Sequence, residues 1–226
     1  MRNKPLEMRR TSRQSVPLWR KLPSLLRRRG APEAAEAPAT VAAPEAFWDR
    51  LNALLDDCRY GEAIAALKDA LRSSPHDPEL NDQLHALYTE VGDTVSVLAH
   101  GPQWVAAQAL DGRGRAALAA LKTLQKIDAR FELQDADALL PLAKAAVQHG
   151  EQALAVQLLQ GFDKRFPEHP DLPGVYFLGA QLMSEYGRRH EQATKLLKRL
   201  LKRYSGHALA GEMRTYLELL QRVQVR

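Results

Sequence analysis

The histidines, the single cysteine and the acidic pairs are the residues of this chain that could carry out catalysis or bind a metal. The seven histidines include no HExxH-type pair, and Cys58 has no second thiol with which to form a disulfide. Asp56 and Asp57 are adjacent, whereas Asp135 and Asp137 precede a predicted helix whose first turn they would cap. No glycine-rich phosphate loop or nucleophile elbow occurs. We therefore expect no enzyme, cofactor or metal site; the histidines would be solvated or cap helices, and Cys58 would pack at a helix end.

The basic residues are concentrated at the N-terminus, in residues 1–29, here called the arm. The whole chain has 32 lysines and arginines and 27 acids, of which the arm holds ten basic residues and one acid, Glu7. The arm therefore carries a charge of +9, and the 22 basic and 26 acidic groups that remain give the rest −4. This asymmetry predicts contact with an anionic surface. The predicted contact residues are Arg9, Arg10, Arg13, Trp19, Arg20, Lys21, Arg27, Arg28 and Arg29.

Four interpretations of the arm stay open. It could be a disordered, solubilising tail, or it could lie on an anionic membrane, where each basic residue contributes about 1 kcal/mol and Leu18, Leu22 and Leu25 would insert. Pro23 interrupts that helical spacing. The arm could instead bind a protein, including an acidic groove of its own chain. Nucleic acid is the least favoured partner, because Trp19 is the arm's one aromatic residue and base stacking has little support.

Residues 30–43 are rich in alanine and proline, a composition typical of a semi-extended linker. The chain contains no run of about 18 apolar residues and no apolar signal core at its start. One cysteine fits a reducing compartment. We therefore expect a cytoplasmic protein, with attachment to the inner face of a membrane as the alternative. The abundance of alanine, arginine and leucine suggests a bacterial source.

Residues 44–223 carry the apolar periodicity of α-helices, and the most regular part is 136–204. Two helical hairpins follow one another there in matching register, with Ala155 and Ala193 38 residues apart. Repetition at this period is typical of a solenoid, whose units bury their apolar faces only against each other. Because helices approach closely where side chains are small, we expect Ala63, Ala155 and Ala193 at helix contacts. A last helix with a polar outer side would close the end of the stack.

Residues 58–77 resemble the second half of a tetratricopeptide repeat. The family's recurring aromatic, small, bulky, small and proline positions are here Tyr60, Ala63, Leu67, Ala70 and Pro75. In residues 136–169 the corresponding positions are Gly150, Ala155, Leu159, Phe162 and Pro167. The fit is poor over 78–111, where Ala63 and Ala117 are 54 residues apart, which is not a multiple of roughly 34. Either one helix serves two repeats there, or a unit has degenerated.

The resemblance implies an all-α, right-handed superhelical solenoid of about nine or ten antiparallel helices, with a C-terminal capping helix after a disordered basic arm. It also implies a non-catalytic scaffold or adaptor that binds a protein or peptide through its concave face. Aligned by the repeat register, the groove positions of the first two leading helices are acidic or polar. They are Glu45, Trp48, Asp49, Asn52, Asp56, Glu79, Asp82, Gln83 and Glu90. The lysine and asparagine clamp with which one subset of the family binds a C-terminal carboxylate is not visible. Because the groove positions are acidic and would repel such a carboxylate, we expect a basic partner.

Two further expectations concern single helices. Gly101–Pro102 falls in the middle of a long helical pattern over 93–111 and predicts a kink, with Trp104 turned into the core. Near 190–204, five basic residues lie opposite a stripe of leucines. That face is interpreted either as the solvated side of an amphipathic helix or as a docking patch for an acidic partner.

Overall fold

The computed structural model describes residues 45–224 of the 226. The predicted arm and linker lie outside the described residues. Every regular element within 45–224 is a helix, and there are eleven of them. They are α1 (Glu45–Asp56), α2 (Tyr60–Ser73), α3 (Pro78–Glu90), α4 (Thr94–Leu110), α5 (Gly114–Ile127), α6 (Ala136–Gln148), α7 (Gln152–Leu159), α8 (Phe162–Arg165), α9 (Leu172–Glu185), α10 (His190–Arg203) and α11 (Ala210–Gln224).

The helices pack in chain order as antiparallel hairpins. Short turns join α1 to α2, α3 to α4, α6 to α7 and α9 to α10, and the members of each pair contact one another. All the main contacts join helices at most three places apart along the chain. This is the contact pattern of a stack of repeats, in which each unit touches its neighbours. The predicted all-α architecture of helical hairpins, similar to that of tetratricopeptide repeats, is therefore confirmed.

Helix α4 explains the irregular spacing between the first two repeats. It packs against α3 and also against α5 and α6, so that it belongs to two successive hairpins. With the turn that follows it, α4 occupies residues 94–113. Those 20 residues equal the excess of the 54-residue spacing over one repeat of roughly 34. One helix therefore serves two repeats, the first of the two alternatives.

The helical conformation of α4 is unbroken, with Pro102 in its interior. A Cβ atom at Gly101 would lie 2.8 Å from the methyl carbons of Leu124, so the glycine lets α5 approach α4 closely. Trp104 turns toward the core and packs against it, as predicted, but its ring is only half-buried, stacked on His85 of α3.

The predicted contact residues lie at the centre of the stack. Ala63, Ala155 and Ala193 are fully buried between helices. Leu159, at the bulky position of the repeat, is only half-buried and is the last residue of α7. Gly161 follows with a φ of 68°, a left-handed conformation that glycine adopts without strain. The chain restarts as the short helix α8, and this break raises the number of helices above the nine or ten expected.

The final helix closes the C-terminal end of the described stack. Met213 and Leu220 of α11 are buried and join a hydrophobic cluster with residues of α9 and α10. The opposite side of α11 is exposed and polar, as predicted for a terminal repeat. Its exposed charged residues are Glu212, Arg214, Glu218 and Arg222.

Candidate functional site

The start of α3 is held by its own N-cap. The buried carboxylate of Asp77 accepts hydrogen bonds from the backbone N–H groups of Glu79 and Leu80 at 2.9 and 3.0 Å. Pro78 occupies the first turn, where its missing N–H costs nothing. This fixed start sets the register of α3. Leu80 then points into the core, while Glu79 and Gln83 point outward.

A surface cleft of about 390 Å³ lies between α1 and α3 and is lined by four of the predicted groove residues. Trp48 of α1 and Asp82 of α3 are half-buried, and Glu79 and Gln83 are exposed. The cleft therefore offers one aromatic ring and two carboxylates to solvent. The remaining predicted groove residues are exposed on α1 or α3 but do not line this cleft. They are Glu45, Asp49, Asn52, Asp56 and Glu90.

Helix α4 adds two residues that the sequence did not assign to the groove. The indole Nε1–H of Trp104 donates to Oδ1 of Asp82 at 2.5 Å, and Nε2 of Gln108 donates to the same oxygen at 2.9 Å. Trp104 and Gln108 are four residues apart, so they share one face of α4. Their spacing was the available signal, but it was hidden because the register of α4 could not be read from the repeat pattern.

Two histidines lie between α3 and α4, which corrects the expectation that the histidines would be solvated or would cap helices. The ring of His85 is stacked on Trp104 with 3.5 Å between centroids and is 7% exposed. Burial, together with the neighbouring His100, lowers the pKa of His85 to about 4. Burial also lowers the pKa of His100, whose Nε2 lies 3.4 Å from the backbone oxygen of Asn81. Both imidazoles are thus neutral near pH 7.

Three buried polar atoms of α3 and α4 lack hydrogen-bond partners among the described residues. They are Oδ1 of Asn81, Nδ1 of His85 and Oε1 of Gln108. Gln108 is only 1% exposed, yet its amide is held against Asp82, a residue of the cleft wall. Two of the three atoms are oxygens, which can only accept hydrogen bonds. Together with the carboxylates of Glu79 and Asp82, they make this region rich in acceptors and poor in donors.

One cation stands at the rim of the cleft. Nη2 of Arg113 lies 3.8 Å from Oε1 of Glu79, and both side chains are largely exposed. The same guanidinium donates from Nε to Asp111 at 2.7 Å. A long, exposed ion pair of this kind contributes little. Asp82, by contrast, has no ion-pair partner within residues 45–224.

The acidic pair before α6 behaves as predicted. Asp135 is the N-cap of α6 and accepts a hydrogen bond from the N–H of Ala138 at 3.1 Å. Asp137 lies in the first turn, 3.0 Å from Nε2 of His169. Cys58 lies at a helix end, but it is exposed instead of packed and has a φ of 57°. Over the part of the chain that the structure describes, no group of three or more His, Cys, Asp or Glu is placed to hold a metal ion.

The basic face of α10 is the outer side of an amphipathic helix. Leu197 and Leu200 are buried on the other side. The basic residues are all exposed, and they are Lys195, Lys198, Arg199, Lys202 and Arg203. Lys195 pairs with Glu191 at 2.6 Å along the helix. The predicted anionic-surface residues of the arm lie outside the described residues. No helix among residues 45–224 combines the length and apolar character needed to cross a membrane.

No family model matches the chain, and no curated protein matches it. Solved structures do match, and their descriptions name the repeat class that residues 58–77 and 136–169 resemble. A tetratricopeptide repeat protein from Parabacteroides merdae is 15% identical, with 78% of this chain and 73% of that chain covered and a TM-score of 0.40.

Two further matches are similarly remote in sequence. YrrB, described as a tetratricopeptide repeat protein with an unusual peptide-binding site, is 12% identical to this chain. The match covers 75% of this chain and 90% of YrrB, with a TM-score of 0.39. TTC0263 from Thermus thermophilus is 18% identical, covers 79% and 99% of the two chains, and has a TM-score of 0.34. The helix packing described above, and not these scores, establishes the fold.

Proposed function

We propose that this protein is a non-catalytic scaffold that binds a basic segment of another polypeptide in the cleft between α1 and α3. The observation that carries the proposal is the grouping of Trp48, Glu79 and Asp82 around one cleft, with Trp104 and Gln108 supporting Asp82 from behind. Scaffolds of stacked helical hairpins commonly use such surfaces for peptides.

The chemistry of the cleft favours a cationic ligand. Half-buried tryptophan rings attract cations through their faces, an effect of about 0.5–1 kcal/mol at exposed sites and more where water is excluded. The two carboxylates add charge-assisted hydrogen bonds. Asp82 already accepts two hydrogen bonds through Oδ1, so its position is fixed before a ligand arrives. The membrane and nucleic-acid alternatives rest on the sequence of the arm alone and stay predictions.

A direct test is fluorescence anisotropy with two labelled probes. One peptide carries four basic residues, alternating lysine and arginine between Gly-Ser spacers, and the other has glutamate at those four positions. We expect the full chain to bind the basic peptide and not the acidic one, with an affinity that falls as salt is raised. The proposal is contradicted if the two probes bind equally well.

The matched variants are Asp82→Asn and Asp49→Asn. Both remove one negative charge by the same change, but Asp82 lines the cleft and Asp49 does not. Asparagine keeps a carbonyl oxygen that can accept from Trp104 and Gln108, so the fold should survive, as circular dichroism would verify. We expect Asp82→Asn to weaken binding of the basic peptide at least tenfold and Asp49→Asn to change it less than twofold. Equal effects would place binding elsewhere on α1 and α3.

A further inference from the structure

We propose that the cleft is a guanidinium site, which recognises an arginine side chain in preference to a lysine of the same charge. This inference rests on the proposed function and deepens it, because it names the chemical group that is bound. It is carried by the unpartnered amide oxygen of Gln108 behind Asp82, by the half-buried ring of Trp48 and by the pairing of Arg113 with Glu79 and Asp111 instead of Asp82.

Not all of the hydrogen-bond acceptors at Asp82 and Gln108 are used. Oε1 of Gln108 is buried without a partner among the described residues, and its amide is fixed against Asp82 by the other atom. Both hydrogen bonds to Asp82 are made to Oδ1, so Oδ2 is left for a ligand. An arginine carries five N–H donors in a planar fork, whereas a lysine carries three on a single point. A guanidinium in the cleft can therefore donate to Oδ2 of Asp82 and to the carboxylate of Glu79 at the same time, while Gln108 holds Asp82 from behind.

The cleft has one aromatic side, formed by the half-buried ring of Trp48. Behind Asp82, the ring of Trp104 is held by the Asp82 carboxylate at one edge and by the His85 ring at 3.5 Å on one face. Groups held in this way lose little freedom when a ligand binds. Planar guanidinium groups stack on such rings and are less strongly hydrated than ammonium groups.

Arg113 does not neutralise Asp82. Its guanidinium faces Glu79 at 3.8 Å and pairs with Asp111, but it forms no ion pair with Asp82. Asp82 is the more buried of the two carboxylates. Among the described residues it accepts hydrogen bonds from the neutral side chains of Trp104 and Gln108 and has no cationic partner. Arginine from outside the described residues would supply the missing charge. Its source is either a separate polypeptide or the arm, whose residues 27–29 are three consecutive arginines.

The test is calorimetric titration of the full chain with three probes that differ in one functional group. They are acetyl-Arg-Arg-Arg-amide, acetyl-Lys-Lys-Lys-amide and the citrulline tripeptide, which keeps the shape of arginine without its charge. We expect the arginine probe to bind at least fivefold more tightly than the lysine probe, and the citrulline probe not to bind measurably. Asp82→Asn should weaken the arginine probe at least tenfold and reduce the preference over lysine.

The outcomes separate the inference from the proposed function. Equal affinity for arginine and lysine, with loss of both in Asp82→Asn, would overturn the guanidinium site and leave the basic-peptide function standing. No binding that depends on Asp82 would overturn both. Equal binding of the citrulline and arginine probes would show that charge plays no part, and would also overturn the inference.

Two further full-length variants, each lacking three positive charges of the arm, test where the arginine comes from. They are Arg27→Gln/Arg28→Gln/Arg29→Gln and the matched control Arg9→Gln/Arg10→Gln/Arg13→Gln. If the first variant binds the arginine probe at least fivefold more tightly than the wild type and the control does not, the arm's arginines compete for the cleft. If all three proteins bind equally, the arginine comes from a separate polypeptide. Both results support a guanidinium site that Asp82 controls.

Discussion

The helix pairs α3–α4 and α9–α10 follow the same antiparallel plan but have different interiors. Between α9 and α10, Ala180, Ala193 and Leu197 are fully buried, and the buried hydroxyl of Ser184 lies 3.0 Å from Nδ1 of His190. Between α3 and α4, buried polar side chains lie beside the apolar contacts, and three of their atoms have no partner among the described residues. These polar residues are Asn81, His85, His100 and Gln108.

Under the proposed function, the α9–α10 interior serves packing alone, whereas the polar interior of α3–α4 supports a binding site. Burying a polar atom without a hydrogen bond costs about 1–3 kcal/mol, so the α3–α4 pair gives up stability that the α9–α10 pair retains. Such groups are rare in native proteins and concentrate where they have a role. The cleft with Trp48 and Asp82 lies beside this polar layer. Under the proposed function, the hairpin with the polar interior is the one that carries the binding site.

The largest loss of folding stability is expected from a substitution in the apolar interior between α9 and α10. Leu197→Ala should lower the free energy of unfolding by about 2–5 kcal/mol, because Leu197 is fully buried between α9 and α10 and its removal leaves a cavity. Urea unfolding followed by circular dichroism measures the change. Val156→Ala is the control, since Val156 is 54% exposed and should cost less than about 0.5 kcal/mol. A loss below 1 kcal/mol for Leu197→Ala would mean that this pair is not tightly packed.

The next largest effect is a loss of folding stability in acid, caused by His85 between α3 and α4. His85 has a pKa near 4 in the folded chain against about 6.5 unfolded, so the unfolded chain binds more protons between these values. Its contribution is therefore fully present above pH 6.5 and is lost as the pH falls toward 4, by about 2–3 kcal/mol. Besides burial, His100 lowers the pKa of His85 and Asp82 raises it, and Lys68 lowers the pKa of His100.

Urea unfolding at pH 7 and pH 4.5 would measure this dependence. His85→Phe keeps an aromatic ring against Trp104 and removes the proton site, so its stability should fall less between the two pH values. His149→Phe is the control, because His149 is exposed. If His85→Phe loses as much stability in acid as the wild type, the buried imidazole is not the cause.

The smallest effect concerns the turns that join the helices. The turns after α3, α4 and α6 place glycine in the left-handed region, but the turn after α1 places Cys58 there with a φ of 57°. A residue other than glycine costs about 1 kcal/mol in this conformation. Cys58→Gly should therefore raise the free energy of unfolding by up to about 1 kcal/mol, measured by urea unfolding. Cys58→Ala should gain nothing, and an equal gain from both variants would assign the effect to the thiol.

The regular hairpins could be predicted from the sequence because packing alone defines them. Ala155 and Ala193 are small at the positions where helices approach most closely, and their spacing was enough to predict the hairpins α6–α7 and α9–α10. The acidic character of the cleft was also predicted, through Glu79 and Asp82, because it follows from the register of α3.

The polar layer could not be predicted, for a physical reason. Helix α3 packs against both α2 and α4, so its buried surface is wider than one apolar stripe and includes Asn81 and His85. A periodicity analysis assigns such residues to the solvent side. Trp104 and Gln108 were missed because α4 belongs to two repeats, and no fixed spacing reveals which of its faces meets α3.

The most direct test of a cationic binding site beside α3 is the ¹H–¹⁵N spectrum of the three indole N–H groups, from Trp19, Trp48 and Trp104. The sample is the full chain carrying Arg27→Gln/Arg28→Gln/Arg29→Gln, titrated with acetyl-Arg-Arg-Arg-amide. The account predicts saturable shifts of the Trp48 and Trp104 resonances, which are absent when Asp82→Asn is added. Saturable binding that leaves both of these resonances unmoved would contradict it.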